Sequence, residues 1–247
     1  MTMLREDGFL GGRLRITQPV QGYRAGADAV MLAAACPVQA GETVLELGCG
    51  AGVASLCIGA RVPGAVLTGI ERQADYAALA ERNAVTNGIA LRVLTGDLAA
   101  MPVALRGQSF DHVIANPPFF AAGTRAPDTG RADARHEDTP LHLWIDAGLR
   151  RLRSGGRMVL VLRADRLADV LAAVAGRAGD LSILPLSARA GRDAGRVLVG
   201  MRKGARGPLR LRAPLILHAA VAHLQDGEDF TDMAAAILRD ATEINLW

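Results

Sequence analysis

Cysteine is scarce in this sequence and follows no pattern. Cys36, Cys49 and Cys57 form an odd set without CxxC spacing, so neither a disulfide framework nor a zinc site is expected. A reducing cytoplasm is the expected setting. Lysine is scarcer still, with Lys203 the only one. The five histidines, His112, His136, His142, His218 and His223, include no i, i+4 pair. That removes the usual helix-borne metal site, and no metal is expected. No apolar run approaches the ~20 residues that span a bilayer; the longest, such as Ala29–Cys36 and Met158–Leu162, fall well short. The opening MTMLREDGFLGG has acidic residues and paired glycines where an export signal needs an apolar core. The expectation is a soluble protein with no membrane partner. There is no internal repeat and no low-complexity tract.

What is present fits one large domain. The 247 residues are 50% hydrophobic and 21% charged, inside the range of soluble globular proteins. Net charge is only +3, but Arg189, Arg192, Arg196, Arg202, Lys203, Arg206, Arg210 and Arg212 face a lone Asp193. Such a run would attract phosphate. A chain whose coding bias favours Ala, Gly and Arg throughout would produce the same run, and both explanations stay open.

From Thr43 short β-like runs alternate with helical ones, the pattern of an α/β fold with a mostly parallel sheet covered on both faces. Strands are predicted at Thr43–Leu47, Val66–Ile70, Leu91–Leu94, His112–Ala115, Met158–Leu162, Leu181–Leu186 and Arg196–Met201. Helices are predicted at Gly52–Ala60, Gln73–Thr86 with Asn87-Gly88 as its stop, Leu141–Leu152 and Asp165–Ala175. Residues 1–40 are expected to form a lid, with Ala27–Ala35 helical, packed on a domain covering 41–247. Between Phe120 and Thr139 the composition turns to Gly, Pro, Thr, Asp and Arg, giving a long polar loop.

Val44-Leu-Glu-Leu-Gly48-Cys-Gly50-Ala-Gly52 sets an acid near the end of a buried strand, then three glycines, then a helix. A dinucleotide fingerprint reads GxGxxG and seats a pyrophosphate. Here the glycines run GxGxG with Glu46 two residues upstream, and a carboxylate so close would repel a pyrophosphate. It suits instead the ammonium and sulfonium groups of S-adenosylmethionine. Glu71 lies 19 residues beyond Gly52, where an acid meets ribose hydroxyls in Rossmann-like folds. Asp97 follows the third strand and is placed to accept from an adenine amino group. An acid after one strand is commonly a turn residue; three at consecutive strand ends point to a ligand.

The fourth strand runs into Asn116-Pro117-Pro118-Phe119. Two prolines end the strand and fix an extended backbone, so Asn116 is held rigidly at the sheet edge. An aromatic or amide nitrogen is a poor nucleophile because its lone pair is delocalised. Two acceptors aimed at its hydrogens, the Asn116 oxygen and the Pro117 carbonyl, favour a pyramidal and more nucleophilic form. Phe119 would stack on the flat acceptor, a contact worth ~1–3 kcal/mol per base. Catalytic roles are thus expected for Asn116, Pro117 and Phe119, with no metal and no covalent intermediate.

With those motifs, and with Gln18-Pro-Val-Gln-Gly-Tyr-Arg-Ala-Gly-Ala-Asp28, Ala134-Arg-His-Glu137 and Leu215-Ile-Leu-His218 followed by Asp226-Gly227, the chain resembles class I S-adenosylmethionine-dependent methyltransferases carrying NPP(Y/F). Within them it is similar to the bacterial tRNA (adenine-N6) methyltransferases that modify valine tRNA beside its anticodon. The resemblance implies a Rossmann-like, seven-stranded sheet with a reversed last hairpin. It implies an RNA partner and a cofactor held by Glu46, Gly48, Gly50, Gly52, Glu71, Asp97 and Asn116, with the segment from Arg24 to Asp28 closing over its methionine end. Phe119 departs from the family's usual tyrosine but keeps its stacking face. An rRNA guanine-amino methyltransferase, a protein glutamine methyltransferase and a cofactor-binding module without catalysis are the competing readings.

Overall fold

The computed structural model describes residues 3–118, 139–219 and 229–247. Phe119, the polar loop through Glu137 and the Asp226-Gly227 pair lie outside them. A hairpin of β1 (Leu4–Phe9) and β2 (Leu14–Pro19) precedes helix α1 (Ala27–Ala35). The main sheet contains β3 (Thr43–Leu47), β4 (Val66–Glu71), β5 (Leu91–Thr95), β6 (Phe110–Ala115), β7 (Leu152–Arg163), β8 (Ala178–Ser187) and β9 (Arg196–Lys203). The connections carry α2 (Val53–Arg61), α3 (Ala74–Asn87), α4 (Val103–Arg106), α5 (Leu141–Arg151) and α6 (Leu167–Val174). Two short strands, β10 (Arg210–Leu211) and β11 (Leu215–Ile216), precede the last helix, α7 (Asp232–Asp240).

The strands run in the order β5-β4-β3-β6-β7-β9-β8, with β9 antiparallel to both its neighbours. The expected seven strands and reversed strand are there, but among the described residues the sheet has nine. After β9 the chain returns along the outside of β8, where β10 and β11 both pair in parallel. An edge strand leaves a row of backbone groups unpaired, and here Arg212 N–H donates to Ile183 O and Leu217 N–H to Ser187 O.

Side-chain alternation divides the core in two. Val44, Ile114 and Val159 join α1, α2 and α7 on one face, while Leu45, Val113 and Leu160 join α5 and α6 on the other. Glu46 therefore points to the α2 face. All of Ala29–Ala35 is buried, and α1 packs against α2, β7 and α7. It is a helix packed into the core.

The chain reverses direction across the sheet between β3 and β6. In register, Leu47 lies opposite both Ile70 and Ala115, and Ile70 opposite Leu94. The glycine turn after β3 and the Asn-Pro-Pro run after β6 therefore emerge side by side at the carboxyl edge. In doubly wound sheets that switch point is where ligands bind.

Candidate active site

A cavity opens at this switch point. Its walls include Gly48 and Gly50 after β3, Glu71 and Gln73 after β4, Gly96 and Asp97 after β5, and Asn116 and Pro118 after β6. Gly48 and Gly50 have φ of +63° and +53°, a conformation that disfavours side chains. At Gly48 a Cβ would also stand 2.5 Å from the Trp144 ring, so glycine is required there twice over.

The two cavity carboxylates are already engaged with backbone. Glu71 Oε2 accepts from Gly50 N–H at 2.9 Å and Oε1 from Gln73 N–H at 2.9 Å. Asp97 Oδ1 accepts from Ala99 N–H at 2.8 Å. A carboxylate oxygen has two lone pairs, so each anchored group keeps acceptor capacity for a ligand's hydroxyl or amino hydrogens. That pair of acceptors, with a side-chain-free glycine turn, fits a ligand bearing ribose and adenine.

Glu46 does not line the cavity. It is buried, and its Oε2 accepts from Ser55 N–H at 2.9 Å and Ser55 Oγ–H at 2.5 Å. It holds the first turn of α2, where exposed N–H groups favour a carboxylate. Burial, with the nearby Glu71 charge adding to it, nevertheless pushes its pKa up to about 7. Gly52 is likewise behind the wall, as the left-handed residue preceding α2. Arg24 pairs with Asp7 at 2.8 Å and Asp28 with Arg196 at 3.0 Å; neither lines the cavity. Those pairs brace the segment between β2 and α1.

Asn116 lines the cavity, and its Nδ2 donates to the Tyr23 hydroxyl at 3.1 Å. Its Oδ1 is buried and has no hydrogen-bond partner among the described residues. The Pro117 side chain is buried beneath the edge, whereas Pro118 is exposed and lines the cavity. Three aromatic wall residues, Tyr23, Tyr76 and Trp144, were not among the residues singled out by sequence. Tyr23 lies inside the Gln18–Asp28 segment that carried the resemblance, the one signal available for it. Tyr23 is about half exposed as a residue, but loss of hydration around its hydroxyl at Asn116 raises the pKa above the ordinary tyrosine value, and the charges of Glu46 and Asp28 add to the shift.

The late arginine run does not form one surface. Arg196 opposes Arg163 at the carboxyl end of β7, whereas Arg202 opposes Arg157 at its amino end. Arg189, Arg192 and Arg196 thus belong to the cavity edge, while Arg202, Lys203 and Arg206 belong to the opposite one. Arg189 is paired with Asp229 at 2.9 Å.

The strand order, reversed β9 and glycine turn define a class I methyltransferase fold. The family described as "Methyltransferase small domain" matches residues 26–177. A tRNA1(Val) (adenine(37)-N6)-methyltransferase of Porphyromonas gingivalis is 34% identical over 173 residues, covering 66% of this chain and 68% of its own. One of the same name from Dickeya chrysanthemi is 28% identical over 243 residues, 96% of this chain and 94% of its own. Among solved structures, a predicted O-methyltransferase, protein Atu636 from Agrobacterium tumefaciens, superposes with a TM-score of 0.70 at 30% identity, over 87% of this chain and 97% of that one. The chain belongs to the methyltransferase small domain family. It is an enzyme, and its cofactor is S-adenosylmethionine.

Proposed function

We propose that the enzyme methylates the N6 amino group of an adenine in RNA, and that this RNA is a tRNA, as in the relatives of that name. The observation that carries this reading is the buried Oδ1 of Asn116, unpartnered among the described residues, at the point where the glycine turn and the Asn-Pro-Pro run meet. An exocyclic amine brings two hydrogens, which Asn116 Oδ1 and the Pro117 carbonyl would accept. A hydroxyl brings one and needs a base instead, so this pair of neutral acceptors favours a nitrogen acceptor over an oxygen.

S-adenosylmethionine, when bound, would supply an electrophilic methyl carbon, leaving as S-adenosylhomocysteine, and the substrate nitrogen would release its proton to solvent. The chain's contribution is alignment. Gly48, Gly50 and Asn116 would flank the cofactor, Glu71 would hold its ribose hydroxyls and Asp97 its adenine amino group. Glu46 and Gly52 would act from behind, by setting the loop and the start of α2. Arg24 and Asp28 would brace residues 1–40 as the cover of the 41–247 domain. Phe119 would stack on an adenine swung out of its helix, because an amine inside folded RNA cannot reach the methyl carbon. A cytoplasmic location accompanies that substrate.

The test is methylation of tRNA lacking the modification, using labelled cofactor, followed by digestion to nucleosides. The expected product is N6-methyladenosine; methylguanosine, or label in protein glutamine, would replace this reading. Asn116→Ala should keep S-adenosylhomocysteine affinity and lower turnover on the order of 100-fold. Full activity in that variant would overturn the role of Asn116.

A further inference from the structure

An asparagine amide has two ends of nearly equal shape and opposite hydrogen-bonding sense. Only one orientation of Asn116 serves an amine: Oδ1 must meet the substrate's hydrogens, and Nδ2 must be kept away. Rotation of the amide by half a turn would present two donors to a group that is itself a donor. The backbone constraint of the following prolines fixes where Asn116 stands but leaves this last rotation free.

Tyr23 reaches this amide from across the cavity edge. Its hydroxyl takes the Nδ2 proton at 3.1 Å, while Oδ1 is left without a partner among the described residues. Tyr23 is itself gripped from two sides. The Tyr76 hydroxyl on α3 donates to the Tyr23 carbonyl at 2.8 Å. Two residues on, Ala25 N–H donates to Gln18 Oε1 at 2.9 Å and its carbonyl accepts from Gln18 Nε2 at 3.2 Å, with Gln18 buried. The ring lies over the glycine turn, 3.5 Å from where a Cβ on Gly50 would sit. We infer that Tyr23 is a positioning residue that holds the Asn116 amide in place at the sheet edge, through a latch joining α3, the β2–α1 segment and the end of β6. A tyrosine hydroxyl both accepts and donates, so it anchors the amide in place, and the substrate's own hydrogens favour the orientation that offers them Oδ1. The inference rests on the proposed role of Asn116 and adds to it a residue that need not touch the substrate.

Tyr23→Phe keeps the ring over Gly50 and deletes only the hydroxyl. Wild type, Tyr23→Phe, Asn116→Ala and the double variant would be compared in three measurements: S-adenosylhomocysteine affinity by calorimetry, single-turnover methylation of tRNA lacking the modification, and the Asn116 side-chain amide signals in ¹⁵N spectra. The expected results for Tyr23→Phe are an affinity within about threefold of wild type, a displaced Asn116 amide pair, and a rate about tenfold lower, the worth of one hydrogen bond. In the Asn116→Ala background the same change should cost less than about twofold, because a latch acts only through what it holds. A wild-type rate in Tyr23→Phe, an unmoved amide pair, or an undiminished tenfold cost without Asn116 would each overturn the latch. An active Asn116→Ala would remove the proposed role of Asn116 and the latch with it. Absence of turnover in wild type would remove only the tRNA reading, and the amide spectra would then decide the latch alone.

Discussion

Glu46 and Glu71 hold the same loop from opposite sides, but their chemical situations differ. Glu46 is buried with a pKa pushed up to about 7, whereas an unfolded glutamate titrates at about 4.3. The folded state binds that proton more tightly, so stability falls as pH rises through the interval between those values and levels off above it. Glu46→Gln removes the titration. Its stability advantage over wild type should therefore be absent at pH 4, grow across the window and plateau above about pH 7, with a ceiling of roughly 4 kcal/mol. Denaturant midpoints measured at several pH values would check it, and a pH-independent difference would rule it out. Glu71 is expected to act on the ligand. Glu71→Ala should weaken S-adenosylhomocysteine affinity about tenfold or more while the protein stays folded, read by calorimetry alongside circular dichroism. Unchanged affinity in the folded variant would dismiss the ribose assignment.

Between elements, one buried side chain has an outsized part. Asn83 on α3 accepts from Thr17 N–H at 2.8 Å and donates to Thr17 O and Ala51 O, both at 3.0 Å. It joins β2, the glycine turn and α3 at a single point. Asn83→Ala would strip partners from three backbone groups, each costing about 1–3 kcal/mol if it remains dry. We expect a loss of about 2–4 kcal/mol overall, together with weaker cofactor binding because the turn loses an anchor. Thermal unfolding with and without S-adenosylhomocysteine would measure both. Nothing local in the sequence announces the β1–β2 hairpin on which this arrangement depends. The alternation in Leu14, Ile16 and Gln18 is interrupted by charge and follows a Gly-Gly turn, so it carries little strand signal. The central strands were legible to within a few residues because they are apolar and bounded by turns. Glu71, Asp97 and Asn116 were legible because each stands at the end of a strand or within two residues of it and needs no tertiary information to place. Tyr23, Tyr76 and Trp144 reach the cavity from three separate segments, and only the packed fold brings them together.

At the scale of the whole molecule, the sheet separates charges that are neighbours in sequence. Because β9 crosses from one edge to the other, a run that reads as a single basic patch is divided between the cavity edge and its opposite. Arg206→Glu, on the far edge, is expected to leave tRNA affinity within about twofold. Arg72→Glu, on the cavity wall, should weaken tRNA binding and lower its salt dependence by about one phosphate contact. Filter binding across a salt series distinguishes the two. Equal losses from both substitutions would favour a diffuse attraction by net charge.

The position of α1 governs the order in which this molecule can be completed on the ribosome. Its seven buried residues are covered by α2, β7 and α7. Distant segments are also joined directly: Arg13 donates to Arg239 O, and Ile244 N–H to Ala34 O. Synthesis delivers α1 about two hundred residues before α7, at roughly 5–20 residues per second. For on the order of ten seconds or more, an apolar helix made early has no cover on one side. A nascent chain stalled before α7 should therefore bind a hydrophobic-surface dye or a holding chaperone, and should lose that binding once residues 232–247 emerge.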